Sequence, residues 1–153
     1  MDWMALASTL AGGAIATVSA GYLDRRRWRR DRIDQRTEAR RALYGDYLAA
    51  LSQARLTFSR LSRDTGASDT ERGKAAWDAF DPCSGFRHQM TISAPGTVVA
   101  PSEELYRILR DLRNAMAEGL LLEDGAYAEH RVRYDTALDA LRAAMRDDLE
   151  AGP

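Results

Sequence analysis

Cysteine is almost missing from this chain. Among 153 residues only Cys83 carries a thiol, so no intramolecular disulfide can form and a cysteine-based metal site is excluded. That usage fits a main domain in the reducing cytoplasm. Lysine and asparagine each occur once, as Lys74 and Asn114, and the other 21 basic residues are arginine. The bias is that of a GC-rich bacterial genome and carries little functional information.

Histidine is scarce too. A carboxylate-bridged di-iron bundle requires Glu-x-x-His pairs, but Gly85 precedes His88 and Tyr127 precedes His130 at that spacing. Neither histidine has a second one four positions away, so the helical zinc arrangement is missing. No glycine-rich loop follows a strand and no GxxxxGK[ST] run occurs, which leaves nucleotide binding without support. Cys83 and His88 are five apart, on different faces of a helix, which argues against a local thiolate–imidazolium pair. Cys83 is expected to be a small packing residue. The expectation is therefore no catalytic residue, no metal and no cofactor.

Charge is nearly balanced, at −1 overall, but unevenly placed. Residues 24–63 hold 12 arginines against five acidic residues, while residues 64–153 hold 17 acidic against ten basic. The basic stretch directly follows an uncharged one. From Trp3 to Leu23 there are 21 residues without a charge, and six of the next eight positions after Asp24 are arginine.

Such a segment, as a helix, spans about 31 Å, close to the roughly 30 Å hydrocarbon layer. Trp3 and Tyr22 stand where interfacial aromatics belong. A cleaved signal peptide needs a positive region first, and only Met1, Asp2 and Trp3 precede the apolar run. The expectation is an uncleaved anchor over 1–23 and a basic juxtamembrane junction over 24–33. The arginines would stay in the cytoplasm and the N-terminus outside, in a bacterial cell membrane.

Small residues are ordered along the anchor. Ala5, Thr9, Gly13, Thr17 and Gly21 recur every four positions, a ridge that lets another helix backbone approach. Gly13, Thr17 and Gly21 are the candidate helix-association residues, in a homo-oligomer or with a partner's transmembrane helix. In "DRRRWRRDR" the residues Arg25, Arg26, Arg27, Trp28, Arg29 and Arg30 are candidates for contact with anionic lipid headgroups, each cation adding about 1 kcal/mol of attraction. Nucleic acid is the weaker alternative, because topology already accounts for the pattern.

Residues 34–153 read as a cytoplasmic helical bundle. Tyr44, Tyr47, Leu51, Ala54, Phe58 and Leu61 advance by threes and fours, an apolar seam of helical period. Gly66 marks a stop, and Ser68 with Glu71 has capping-box spacing. Ala76, Trp77 and Phe80 follow on a second helix. Asp81-Pro82 then predicts a break or kink with a restart, after which Phe86, Met90 and Ile92 continue the apolar face. "SAPGTVVAP" is expected as a loop or turn, with a small hairpin as the alternative. Pro101 with Glu103 and Glu104 marks a helix start, which can lie earlier, near Pro95. Leu105, Leu109, Leu112 and Met116 form its buried face and Gly119 ends it. Leu120–Leu122 should dock on the bundle, Asp124 can cap the last helix, and Tyr127, Tyr134, Leu138, Leu141, Met145 and Leu149 make its seam. The arginines and acids at three- and four-residue intervals in the last two helices predict exposed ion pairs.

The fold class expected is all-α: a transmembrane helix continuing into an antiparallel four-helix bundle, or a three-helix bundle if "DPCSG" is irregular. The order of "RRRWRRDR", "YGDYLAALSQA", "SAPGTVV" and "LRAAMRDDL" resembles a loose class of short actinobacterial single-pass membrane proteins with an Arg/Trp-rich junction and a cytoplasmic helical domain. That resemblance implies a layout and brings no catalytic residue. The functional expectation is a self-associating, non-catalytic interaction or scaffold protein with an unknown cytosolic partner. A small holin-like, membrane-perturbing effector is the alternative, and an enzyme ranks last.

Overall fold

The structure, a computed structural model, describes residues 34–151. Four helices fill them: α1 over 34–61, α2 Asp69–Ser93, α3 Gly96–Ala117 and α4 Gly125–Ala151. From Ala39 onward they form one compact unit. Among the described residues no helix is long and apolar enough to cross a membrane. The expected anchor, junction and rigid stalk over 1–33 lie outside the described residues.

Contacts between helices give the topology. Arg40 meets Asp148 and Arg55 meets Asp135, so α1 and α4 run antiparallel. Arg87 meets Glu103, and Gly73 abuts Ala117, so α2 and α3 also run antiparallel. Tyr47 on α1 donates to the Ser102 carbonyl on α3, and Leu122 beyond α3 donates to the Ser62 carbonyl beyond α1. These two helices are therefore parallel. The result is an up-down-up-down four-helix bundle, the arrangement that short connections favour; the three-helix alternative is overturned.

Each helix buries one stripe. Tyr44, Tyr47, Leu51, Ala54 and Phe58 are buried on α1, and Leu105, Leu109, Leu112 and Met116 on α3. On α4 they are Tyr127, Tyr134, Leu138, Leu141 and Met145. Leu61 and Leu149 pack at the margin of the core. Steps of three and four residues keep one face of each helix toward the bundle axis.

The caps explain where α2 and α3 begin. Ser68 Oγ accepts from the Glu71 amide, and the Glu71 carboxylate accepts from the Ser68 amide at 3.0 Å, a reciprocal capping box. The Ser68 hydroxyl also donates to that carboxylate at 2.7 Å, and this bond first, with the amide bond second, holds the Glu71 carboxyl below its ordinary range. Gly119, after α3, has φ +94°, a left-handed conformation that favours glycine.

Several expectations change. Asp81-Pro82 neither breaks nor restarts α2, which is continuous from Asp69 to Ser93 with Pro82 inside. Pro82 and Asp78 are both exposed, so the carbonyl deprived of its usual donor can be hydrated. No hairpin forms at "SAPGTVVAP": the link shrinks to Ala94 and Pro95, and the Pro95 carbonyl takes the Val98 and Val99 amides at 2.9 and 3.0 Å. Pro101 is thus internal, and the earlier start near Pro95 is the one observed. Trp77 and Ile92 do not face the core. Leu120 packs on the bundle, whereas Leu122 is exposed. The Asp124 carboxylate turns back to the Leu121 amide at 2.7 Å and closes the connector, while its backbone carbonyl receives the Tyr127 amide.

Candidate functional site: the cation–aromatic face of the second helix

The buried stripe of α2 decides what its outer face displays. Gly73, Ala76, Phe80, Cys83 and Met90 point inward. That stripe excludes Trp77, one position past Ala76, and leaves it 54% exposed. Arg113 on α3 lies against it, with the guanidinium carbon 3.5 Å from the indole centroid and 4.9 Å from that of Phe80.

Arg113 is itself only 7% exposed. Its Nε and Nη2 donate to Asn114 Oδ1 at 3.1 and 2.7 Å. Burial pushes its pKa below the ordinary guanidinium value. A planar, weakly hydrated cation suits such a place, since aromatic faces compensate part of the lost hydration. The indole is thereby pinned on one side while its opposite side meets solvent.

The same α2–α3 seam continues in polar form. Phe80 and Tyr106 rings stand 4.8 Å apart, and the Tyr106 hydroxyl shares a hydrogen bond with Ser84 at 3.0 Å. Arg87 lies 4.8 Å over the Tyr106 ring while its Nε donates to both Glu103 oxygens at 2.8 and 3.0 Å. This bifurcated, charge-assisted hydrogen bond and the ring stacking tie α2 to α3 beyond Trp77.

Outward, α2 carries Trp77, Asp81, Gly85, His88 and Ile92, all exposed. With about 100° per residue, Trp77 and Ile92 fall within roughly 60° of one another around the helix and about 22 Å apart along it. Ile92 is 85% exposed. The stripe thus has an apolar anchor near each end and polar residues between.

The other chemistry-bearing residues are scattered. Cys83 is fully buried, and desolvation pushes its thiol up to about 11, the opposite of nucleophile activation. His88 is exposed on α2 and His130 half-buried on α4. Burial first, and Arg133 second, lower the His130 pKa, and its Nδ1 is buried without a hydrogen-bond partner among the described residues. Among those residues no group of three potential ligands could hold a metal ion. Gly13, Thr17, Gly21 and the junction residues Arg25 to Arg30 with Trp28 lie outside the described residues.

Sequence reasoning missed Arg113 and Arg72. "RILRDLRNAMAEG" reads as an exposed, ion-paired face, yet Arg113 is buried in it. Arg72 is buried as well, donating to Asp69 at 2.8 Å and to the Asp64 and Ala67 carbonyls at 3.0 Å. A usable signal was present for Arg113: it follows Leu109 by four and directly follows Leu112, which places it at the edge of the apolar stripe.

No protein-family model, curated protein or solved structure matches this chain. The functional reading therefore rests on the residues themselves.

Proposed function

We propose that the protein is a membrane-anchored helical scaffold whose bundle recruits a cytosolic protein through the outer face of α2. The observation that supports the reading is Trp77, more than half exposed yet held on one side by a buried arginine. Trp and Arg dominate the energetic centres of protein interfaces. A pinned indole also loses less side-chain freedom on binding than a mobile one. Ile92 extends the same face by about four turns.

The anchor and its orientation rest on the 21 uncharged residues followed by clustered arginine. Self-association through Gly13, Thr17 and Gly21 would display several bundles together and raise the avidity of weak contacts. Leucine at positions 13 and 21 should weaken association in a membrane two-hybrid assay; undiminished association would reject that interface.

The recruitment surface is tested by placing a photo-crosslinking amino acid at position 92, and separately at exposed position 129 on α4, in the full chain in its native membrane. A discrete protein adduct from position 92, absent from 129 and lost with Trp77→Ala, is expected. Equal adducts from both positions, or none from 92, would remove α2 as the docking face.

A further inference from the structure

A second feature lies on a different face. Between the start of α1 and the end of α4 runs an open groove of about 330 Å³. Its floor is apolar: Leu48, Met145 and Leu149. Its rim is cationic: Arg41, Arg142 and Arg146, with no acidic residue among its lining. Gly45 opens the α1 wall, because a Cβ there would meet nothing within 4 Å. Arg142 reaches Asp139 only at 3.8 Å with both side chains well exposed, and Arg146 has no carboxylate partner among the described residues.

Asp147 and Asp148 line the α3–α4 side instead. Asp148 is engaged with Arg40 and the Tyr44 hydroxyl at 2.8 and 2.7 Å. Tyr44 thus seals one side of the groove, its hydroxyl occupied and its pKa raised by burial and then by Asp148. Cations over an apolar floor, in a domain whose remainder is acidic, are complementary to one kind of occupant: an acid group carrying a hydrocarbon tail.

We propose that the α1–α4 groove binds a single anionic phospholipid, its phosphate among Arg41, Arg142 and Arg146 and an acyl segment against Leu48, Met145 and Leu149. Arginine suits the phosphate because its planar fork can donate two parallel hydrogen bonds. The groove holds only part of one chain, so the rest of the lipid stays in its bilayer. Occupancy would hold this end of the bundle at the membrane surface and leave the α2 face free. The choice of occupant rests on the anchoring reading, which supplies the bilayer.

The test uses the full chain in vesicles containing a phosphatidylglycerol or a phosphatidylcholine probe, each with a photoreactive group in one acyl chain. Adducts are mapped by peptide mass spectrometry. Labelling of peptides containing Leu48, Met145 and Leu149 by the glycerol probe, at least fivefold above the choline probe, is expected. Arg142→Gln with Arg146→Gln should reduce it at least fivefold while labelling within residues 1–33 persists. Equal labelling by the two headgroups, or labelling confined to residues 1–33, would overturn the site. A protein-sized adduct in native membranes from a crosslinker at position 45, with no lipid adduct at the groove, would instead assign it to an acidic helix and overturn the lipid proposal. Failure of the chain to sediment with vesicles would sink the anchoring reading, an outcome distinct from sedimentation without groove labelling, which sinks only the site.

Discussion

Gly73 on α2 packs against Ala117 at the end of α3 so closely that a Cβ on Gly73 would stand 3.0 Å from the Ala117 Cβ and 3.2 Å from its Cα. The obstacle is backbone and methyl, neither of which can rotate away. Gly73→Ala should therefore destabilise the bundle by about 1–3 kcal/mol, despite the better helix propensity of alanine. Chemical denaturation reads the change. Adding Ala117→Gly should recover only part of it, since the Ala117 Cα at 3.2 Å remains and glycine weakens the helix, and a Gly73→Ala protein as stable as the parent would show that the helices separate at no cost.

Asp148 joins two partners of α1. Its carboxylate takes Arg40 at 2.8 Å and the Tyr44 hydroxyl at 2.7 Å, with only 10% of the side chain exposed. Charged, part-buried hydrogen bonds of this kind are worth about 1.5–3 kcal/mol. Asp148→Asn should lower the unfolding midpoint, and a double-mutant cycle with Tyr44→Phe should return a coupling of about 1 kcal/mol. Strict additivity would mean the two groups act independently.

Cys83 is sealed in the core with its thiol pushed up to about 11. Modification by a thiol reagent at pH 8 should wait for the bundle to open, with rates at least 100-fold below those in denaturant. Rapid stoichiometric labelling of the native chain would contradict the packing described. Cys83→Asp should prevent folding, since an unpaired charge would enter the core.

His130 makes stability depend on pH. Its pKa in the folded state is lowered from the ordinary 6.5, by burial first and then by Arg133, with Asp111 and Glu129 opposing. Well above pH 6.5 the ring is neutral in both states and no penalty exists. As the pH falls below 6.5 the unfolded chain takes the proton more readily, so stability declines toward the folded-state pKa. Denaturation midpoints measured between pH 7.5 and 5.5 should fall, and His130→Gln should flatten the decline. An unchanged slope would assign the decline to other groups.

The α1, α3 and α4 seams were legible because each is carried by large apolar residues at steps of three, four or seven: Tyr44, Tyr47, Leu51 and Phe58 on α1, Leu105, Leu109, Leu112 and Met116 on α3, and Tyr127, Tyr134, Leu138, Leu141 and Met145 on α4. On α2 the signal was ambiguous. Its inward line is Gly73, Ala76, Phe80, Cys83 and Met90, of which only Phe80 and Met90 are large. Large apolar letters stand beside them at 77, 86 and 92. Size therefore pointed to Trp77 and Ile92, while tight packing against Ala117 required glycine.

Outside Asp81-Pro82 and "SAPGTVVAP", local sequence alone determined the helices, where Ser68 starts one and where Gly119 ends another, because caps and i to i+4 spacing involve neighbours only. Tertiary structure alone decided that Arg113 lies under Trp77, that Asp148 serves Arg40 and Tyr44, and that Arg41, Arg142 and Arg146 share one groove. Those pairings depend on how each helix is rotated and shifted against the next. That choice is made by the packing of whole faces, which no single segment contains.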